Sequence, residues 1–276
     1  MKFKAKIRAD KLPLLLGLVG GLEKIGTSLV VYLSPDSVRL TVPSSSPESV
    51  LAFAELHQAE LFYEYRIESQ SENCILLEVD SAMLNTSLSS GKEAPLIHMK
   101  LAKRMGQACL VIETRARDVD IVHDLPIKVM RAQDIEHHLP PEVPAPDVQL
   151  ELSLNRSIRN VVDRMRAIVK YMFIDAHMKG QLVLRAETED ATIKTYYTHL
   201  VPRFDSMEGE ENVRDRSASV KVDSKRLSQV MSTYSMRVDT LICCLVIDHC
   251  LVMHAILDPP GAGTCTFYQP VFGQET

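Results

Sequence analysis

The residues best suited to metal chemistry lie together in one segment, which contains Asp118, Asp120, His123 and Asp124. Carboxylate oxygens and imidazole nitrogens are common metal ligands. Side chains alternate between the faces of a strand, so Asp118 and Asp120 would share one face while His123 points to the other. The pattern therefore favours an edge strand whose charges prevent unwanted pairing over a metal site.

Other patterns associated with catalysis are weaker. The glycines at 17, 20, 21 and 26 match neither the G-x-G-x-x-G nor the GK[ST] form of a phosphate-binding loop. Glu136, His137 and His138 lie in a proline-bounded segment, where adjacent histidines point apart. The sequence contains no G-x-S-x-G motif. We therefore predict no catalytic residue, no cofactor and no metal. The alternative of another class is a metal-dependent intracellular enzyme that uses the 118–124 cluster.

The composition indicates an intracellular protein of two medium-sized domains. The chain has 276 residues, 46% of them hydrophobic, and no apolar run reaches the roughly 18 residues of a membrane span. Its opening, MKFKAKIRAD, lacks a hydrophobic signal region. The six cysteines form no C-x-x-C pair, which is typical of reduced, buried thiols. Because the net charge is −5, any DNA contact must come from a local basic patch.

One structural unit repeats four times along the chain. A strand-like segment ends in Asp or Asn and leads into a helical pattern at Asp10, Asp80, Asn155 and Asp223. These side chains cap helices by accepting hydrogen bonds from free N–H groups. Three further β-like runs follow each helix. The sequence therefore predicts an α+β protein built from four strand–helix–three-strand units.

A proline-rich segment separates two pairs of units. Residues 127–147 contain four prolines between 140 and 146, which favours an extended connector. We therefore predict an N-terminal domain over 1–126 and a C-terminal domain over 148–276. The charged stretch 201–217 predicts a mobile loop inside the second domain.

The predicted helices differ in charge. The third, about 155–170, has an apolar stripe and carries five basic residues against one acid, Asp163. The fourth, 224–234, repeats this design weakly, and the second, 81–90, is neutral outside. The first, about 11–24, exposes glycines and Lys24. A basic helix face fits DNA phosphates, although it also fits an ordinary solvated surface.

Eight sequence blocks, in order along the chain, carry a resemblance to a known family. They are MKFKAKI at the start, LSPDSVRL at 33–40, HDLPIKVM at 123–130, VPAPDVQLEL at 143–152, RSIRNVVDRM at 156–165, KGQLVLRAETE at 179–189, VKVDSKRL at 220–227 and FYQPVF at 267–272. With the four units, they resemble the sliding clamps typified by the proliferating-cell nuclear antigen. More specifically, they resemble the Hus-one subunit family of the heterotrimeric 9-1-1 DNA-damage checkpoint clamp.

The resemblance implies a DNA-clamp fold with antiparallel sheets outside and helices lining a central hole. The chain would be one of three paralogous subunits of a ring that is nuclear, with some of it cytoplasmic, and that contacts no membrane. A clamp loader would place the ring around double-stranded DNA at damage sites, where it recruits checkpoint and repair proteins. A homotrimeric replication processivity clamp is the alternative, because the same physics serves both.

The resemblance also implies candidate sites. The DNA-facing candidates are Arg156, Arg159, Arg166, Lys170, Lys225 and Lys24. The partner-peptide groove would involve Ile127, Val129, Met130, Pro270, Val271 and Phe272. The subunit-interface candidates, on edge strands, are Val119, Ile121, His123, Ile193, Thr195 and Tyr197. Two regions, 43–49 and 201–217, match the family poorly.

Overall fold

The computed structural model describes residues 1–44, 46–115, 119–152, 156–204, 213–231 and 236–273. Within these ranges the chain forms two antiparallel sheets and five α-helices, which confirms the predicted α+β class. None of these helices combines the length and apolarity needed to cross a membrane.

The first half of the chain contains two of the predicted units. The first comprises β1 (Lys2–Arg8), α1 (Leu12–Leu22), β2 (Ser28–Leu33), β3 (Ser37–Val42) and β4 (Leu51–His57). A short helix, α2 (Gln58–Leu61), and β5 (Glu64–Glu68) follow it and were not predicted. The second unit comprises β6 (Ile75–Asp80), α3 (Ser81–Ser89), β7 (Leu96–Arg104), β8 (Gln107–Arg115) and β9 (Asp120–Met130).

The second half contains the other two units. The third comprises β10 (Val148–Leu152), α4 (Arg156–Arg166), β11 (Tyr171–His177), β12 (Gln181–Glu187) and β13 (Thr192–Tyr197). The fourth comprises β15 (Ser217–Asp223), α5 (Ser224–Met231), β16 (Val238–Val246), β17 (Cys250–Leu257) and β18 (Gly263–Pro270). Between these units, the loop predicted over 201–217 has regular structure at both ends, in β14 (Val201–Pro202) and a 3₁₀ turn (Val213–Asp215). Residues 205–212 of that loop lie outside the described ranges.

One continuous sheet joins the two halves. β18 of the second half pairs antiparallel with β4 of the first, from Gly263 opposite Leu56 to Tyr268 opposite Leu51. The sheet has 14 strands in the order β14-β10-β16-β17-β18-β4-β3-β2-β6-β9-β8-β7-β1-β5. The second sheet has four strands in the order β13-β12-β11-β15. Each described helix connects two strands and packs on a sheet.

Two of the predicted helix caps are confirmed and one is wrong. Asp80 Oδ1 accepts a 2.7 Å hydrogen bond from the Met83 N–H, and Asp223 Oδ1 accepts one of 2.9 Å from the Arg226 N–H. Asp10 caps nothing, because α1 starts one residue later with Lys11 as its N-cap and no side-chain bond. Proline at the start of α1 makes the cap less necessary, since it brings no N–H to satisfy. Asn155 lies outside the described residues.

The core follows from strand alternation and the apolar helix stripes. In β1, Phe3, Ala5 and Ile7 are buried, while the intervening lysines lie outside the core. The helices pack in pairs on the sheets, α1 with α3 and α4 with α5. Fully burying a leucine such as Leu18 of α1 stabilises the fold by about 1.5–3 kcal/mol. These pairs leave one face of each helix turned away from the sheet.

The segment between the halves begins later than predicted. β9 continues to Met130, because residues 127–130 pair with β6, with Ile127 buried and Lys128 and Val129 exposed. A 3₁₀ turn (Ala132–His138) follows, and an irregular stretch then leads to β10. The connector was predicted to begin at residue 127, but the part that lies outside the sheets begins after Met130.

Candidate nucleic-acid interface

The paired helices α4 and α5 present the strongest basic surface. Ile158, Val162 and Met165 of α4 are buried, whereas Arg164 and Arg166 are exposed. Arg164 was not among the predicted DNA-facing residues. Arg156 begins α4, and its side chain lies outside the described part of the chain.

The single acid of α4 is engaged in bonds within the helix pair. Asp163 lies 3.7 Å from Arg159 Nε, one turn away on the same helix. Its Oδ1 also accepts a 2.5 Å hydrogen bond from Ser228 Oγ of α5. The negative charge of Asp163 therefore partly neutralises Arg159, and its hydrogen bond holds α5 against α4. Asp163 does not neutralise the other basic residues of the two helices.

Two candidate lysines lie beside these helices. Lys170 follows α4, is exposed, and has its ammonium 4.8 Å from the ring centroid of Tyr171. A hydrogen bond with Tyr171 raises the pKa of Lys170. Lys225, in the first turn of α5, is exposed. Both side chains reach solvent, which is what a phosphate contact requires.

The surface of α1 and α3 is less basic. Lys24 is exposed just after α1, and its neighbour Glu23 accepts a 2.7 Å hydrogen bond from Asn85 of α3. The groove between the helices has a volume of about 540 Å³ and is lined mostly by uncharged residues such as Gly17 and Ser89, together with Glu23, Lys24 and Lys92. The basic charge is thus highest on α4, the helix that the sequence predicted to be the most basic, and α5 repeats it weakly.

β13 is an edge of the four-stranded sheet. It pairs with β12 on one side, and no described strand pairs with its other side. Ile193 is exposed, while Thr195 and Tyr197 are half-buried. Its free backbone groups can accept another strand.

The first half of β9 is a second open edge. Residues 120–126 pair with β8 on one side, and β6 takes up pairing only from Ile127. Val119 is exposed, Ile121 is half-buried, and His123 Nε2 lies 3.0 Å from Ser90 Oγ. β9 and β13 belong to different halves of the chain, and β14 and β5 are the end strands of the larger sheet.

The acids of the 118–124 cluster are engaged separately. Asp120 lies 3.8 Å from Arg115, and Asp124 lies 3.5 Å from Arg104. Asp118 lies outside the described residues. Among the residues that are described, no three His, Cys, Asp or Glu side chains gather in a metal-binding group. The arrangement favours the charged edge strand over the metal site.

The six predicted groove residues do not come together. Ile127, Val129 and Met130 pair with β6, whereas Pro270 ends β18. Four strands separate β9 from β18, which places them about 24 Å apart at the usual strand spacing. Val271 packs against the core, and Phe272 lies 4.6 Å from Tyr171 between ring centroids.

A different part of the connector meets β18. The Thr41 hydroxyl of β3 donates a 3.5 Å hydrogen bond to the His138 carbonyl, which brings the connector over the sheet. A cavity of about 220 Å³ lies there between connector and sheet. It is lined by Arg39, Thr41, Phe53, Ala54, Glu55, His138, Leu139, Pro140, Thr264 and Thr266.

The cavity has a charged pair on one wall. Arg39 Nε donates a 2.9 Å hydrogen bond to Glu55 Oε1. Burial raises the pKa of Glu55, but hydrogen bonds from Arg39 and Ser37 outweigh that effect and leave its pKa below the ordinary value. Glu55 is therefore ionised at neutral pH, and Leu139, at 47% exposure, offers an apolar contact beside it.

Residues 1–272 match the family model described as Hus1-like protein. The chain belongs to the Hus1-like family. It is 28% identical over 277 residues to the "Checkpoint protein hus1 homolog" of Dictyostelium discoideum, covering 98% of each protein. It is 26% identical over 257 residues to "Checkpoint protein HUS1" of Homo sapiens, covering 89% of this chain and 91% of that protein.

Solved clamp structures share the fold of this Hus1-like chain. Proliferating cellular nuclear antigen from Entamoeba histolytica has a TM-score of 0.77 at 13% identity, covering 98% of this chain and 99% of that one. PCNA from Thermococcus kodakaraensis has a TM-score of 0.71 at 17% identity, covering 98% and 100%. The predicted sliding-clamp fold is thereby confirmed.

The sequence analysis of this Hus1-like chain did not predict the connector cavity. The available signal was Leu139, an apolar residue directly before Pro140 and Pro141 in a polar stretch. Prolines hold such a segment extended, so an apolar residue beside them can be held against a sheet. The pairing that brings β18 under the connector crosses more than 200 residues of sequence, from Glu55 to Thr264, and no local pattern predicts it.

Proposed function

We propose that this chain is one subunit of a heterotrimeric ring clamp that encircles double-stranded DNA at sites of damage in the nucleus. In this proposal it acts as a scaffold, without catalysis, and a clamp loader opens and closes the ring. The observation that carries the proposal is the clamp fold of a Hus1-like chain with an exposed basic surface on α4 and α5.

The DNA-facing surface in this proposal consists of the helix pair α4 and α5. Arg159, Arg166 and Lys170, with Lys225 of α5 and Arg156 at the start of α4, attract phosphates without reading base sequence. Lys24 adds a weaker contact from α1. The lower positive charge of the α1–α3 surface supports a grip on DNA that is stronger in the second half of the chain.

The subunit contacts in this proposal run between open edges. The β9 edge, with Val119, Ile121 and His123, pairs with a neighbour's β13-type edge through backbone hydrogen bonds. The β13 edge, with Ile193, Thr195 and Tyr197, pairs with the other neighbour. Two different edges per subunit give head-to-tail contacts, which close into a ring.

Recruited checkpoint and repair proteins dock beside the connector in this proposal. The cavity under His138, Leu139 and Pro140 offers an apolar contact, a charged pair and polar groups of β18. This location replaces the single groove expected from Ile127, Val129 and Met130 together with Pro270, Val271 and Phe272. Those two groups would have to contact different parts of a partner.

The test is to count subunits in the native assembly. The tagged full-length chain, isolated from cells and analysed by native mass spectrometry, should be found once per ring with two different clamp-like chains. Three copies of this chain alone would establish the homotrimeric alternative. A metal-dependent activity that Asp120→Ala abolishes without changing assembly would instead support the enzyme alternative.

A further inference from the structure

The turn between β3 and β4 presents an exposed Ser-Pro pair. The Ser46 carbonyl accepts a 2.9 Å hydrogen bond from the Ser49 N–H, which closes a turn with Pro47 in its second position, where proline is favoured. Ser46 and Pro47 are both exposed. A serine followed by proline on an accessible turn is the substrate pattern of proline-directed serine kinases.

The same turn contacts the second half of the chain. Glu48 Oε2 lies 3.4 Å from Arg226 Nη2 of α5, and most of the Glu48 side chain is exposed. The charge of Glu48 also acts on Lys170. The turn of the first half therefore lies against a basic corner formed by Arg226 and Lys170.

Arg226 has capacity for another acceptor. Its backbone N–H is bonded to Asp223, and its Nη2 contacts Glu48. Its Nη1 has no hydrogen-bond partner among the described residues. A guanidinium binds phosphate oxygens through two parallel N–H donors, and such charge-assisted bonds are about twice as strong as neutral ones. Because Nη1 is buried, an anion near Ser46 would bind Arg226 through Nη2, in place of the Glu48 carboxylate that Nη2 now contacts.

We propose that Ser46 is a phosphorylation site whose phosphate is bound by Arg226. The kinase transfers the γ-phosphoryl group of ATP to Ser46 Oγ: the bond between the γ-phosphorus and the β–γ bridging oxygen breaks, and an O–P bond forms. The hydroxyl proton passes to the base of the kinase, and ADP leaves. The new group carries a charge of about −1.5 to −2 near pH 7. Its binding to Arg226 ties the β3–β4 turn to α5.

One consequence rests on the proposed function. A phosphate at this corner lowers the positive potential around Arg226 and Lys170, and Lys170 belongs to the proposed DNA-facing surface. Masking one phosphate contact weakens DNA binding by about threefold at moderate salt. Phosphorylation of Ser46 would then loosen the grip of this subunit on DNA.

The first experiment treats the purified full-length chain with a proline-directed serine kinase and ATP and locates phosphate by mass spectrometry. Ser46 should be modified. Pro47→Ala should abolish the modification, because it removes the kinase's recognition residue. Ser44→Ala is the matched control, since Ser44 is an exposed serine of the same loop without a following proline. Absence of phosphate on Ser46 would overturn the proposal.

The second experiment installs phosphoserine at position 46 and follows its ³¹P signal against pH. Pairing with Arg226 should depress the second phosphate pKa below its ordinary value of about 6. Arg226→Gln should restore that value, and Arg226→Lys, which keeps the charge without the fork, should give an intermediate one. Identical titrations in all three folded proteins would overturn the role of Arg226.

A DNA-binding experiment separates the proposed phosphate site from the proposed DNA-binding function. The assembled ring containing phosphoserine 46 should bind duplex DNA about threefold more weakly than the unmodified ring. If the ³¹P titration shows the Arg226 pair but DNA affinity is unchanged, the phosphate site stands and the α5 surface does not contact DNA. If DNA affinity falls equally in Arg226→Gln, the phosphate acts without its proposed receptor.

Discussion

Ser228 of α5 donates a 2.5 Å hydrogen bond to Asp163 of α4, so the one acid on the basic helix joins the two helices. Asp163 also lies 3.7 Å from Arg159. A carboxylate among cations weakens the attraction of their surface for DNA, yet here it also holds the helix pair together. Charge and stability therefore oppose each other at this position.

Replacing Asp163 with Asn should separate these two roles. We expect unfolding free energy to fall by about 1–3 kcal/mol, because hydrogen bonds to a charged group are weakened or lost. DNA affinity of the assembled ring should rise, because a negative charge has left the surface. Urea unfolding and DNA titration measure the two effects. Asp190→Asn, at an exposed turn, is the control and should change neither. Reduced DNA affinity in folded Asp163→Asn would contradict the DNA-facing assignment of α4.

The salt dependence of DNA binding tests the basic residues directly. Replacing Arg159 and Arg166 with Ala should flatten the slope of log affinity against log salt by about 1–2, since each lost phosphate contact removes about 0.9. The matched control replaces Lys4 and Lys103, exposed lysines on β1 and β7, with Ala. That control should leave the slope unchanged. Equal slopes for the parent ring, the arginine variant and the lysine control would mean that the α4 surface is only solvated.

The repeated unit was predictable because its signals are local. Apolar residues at helical spacing, as in Ile158, Val162 and Met165, directly encode the buried stripe of α4. The Asp80 and Asp223 caps likewise depend on hydrogen bonds within three residues. Asp10 also ends a strand but is followed by Lys11 instead of serine, and it makes no cap because α1 begins one residue later.

The place of the predicted partner groove could not be derived from local signals, as the repeated unit could. Val129 and Pro270 were grouped by resemblance, but strand order places four strands between β9 and β18. The pairing of β18 with β4 depends on contacts between distant parts of the chain, and it brings Leu139 rather than Val129 near β18. Sequence patterns identify strands more readily than the order in which they pair.

The open edge of β13 yields an assembly prediction. Ile193 is 40% exposed, so Ile193→Asp should cost the isolated chain little stability while it places a charge in the proposed subunit contact. Native mass spectrometry should show loss of the neighbouring subunit, with the thermal midpoint of the free chain unchanged. Glu189→Asp, at the turn before β13, is the control. Intact rings containing Ile193→Asp would place the contact elsewhere.

The connector cavity yields a recruitment prediction. Leu139→Asp should reduce the recovery of proteins bound to the intact ring, because a charge replaces the apolar contact beside Glu55. Val143→Asp changes another exposed apolar residue of the connector and is the matched control. Quantitative mass spectrometry of isolated rings measures both. Equal recovery from the two variants would exclude the cavity as the docking place.

The outer face of the small sheet should make stability depend on pH. Asp175 accepts hydrogen bonds from Arg185, at 2.9 and 3.2 Å, and from Ser219 at 2.6 Å. Burial raises the pKa of Asp175, but the bonds from Arg185 and Ser219 outweigh burial, so its pKa lies below the ordinary value. A carboxyl group with a depressed folded-state pKa stabilises the fold above its unfolded value of about 3.9, and this contribution is lost as pH falls through the folded pKa.

Asp175→Asn should therefore destabilise the chain at pH 7 by about 1–3 kcal/mol, the usual range for hydrogen bonds to a charged group. The difference from the parent should shrink as the pH falls below about 4, because the parent carboxylate is then progressively protonated. Urea unfolding between pH 7 and pH 3 measures this convergence. Glu189→Gln, an exposed carboxylate, should show no such difference. If the difference in unfolding free energy between the parent and Asp175→Asn stays constant with pH, Asp175 acts through packing rather than through its charge.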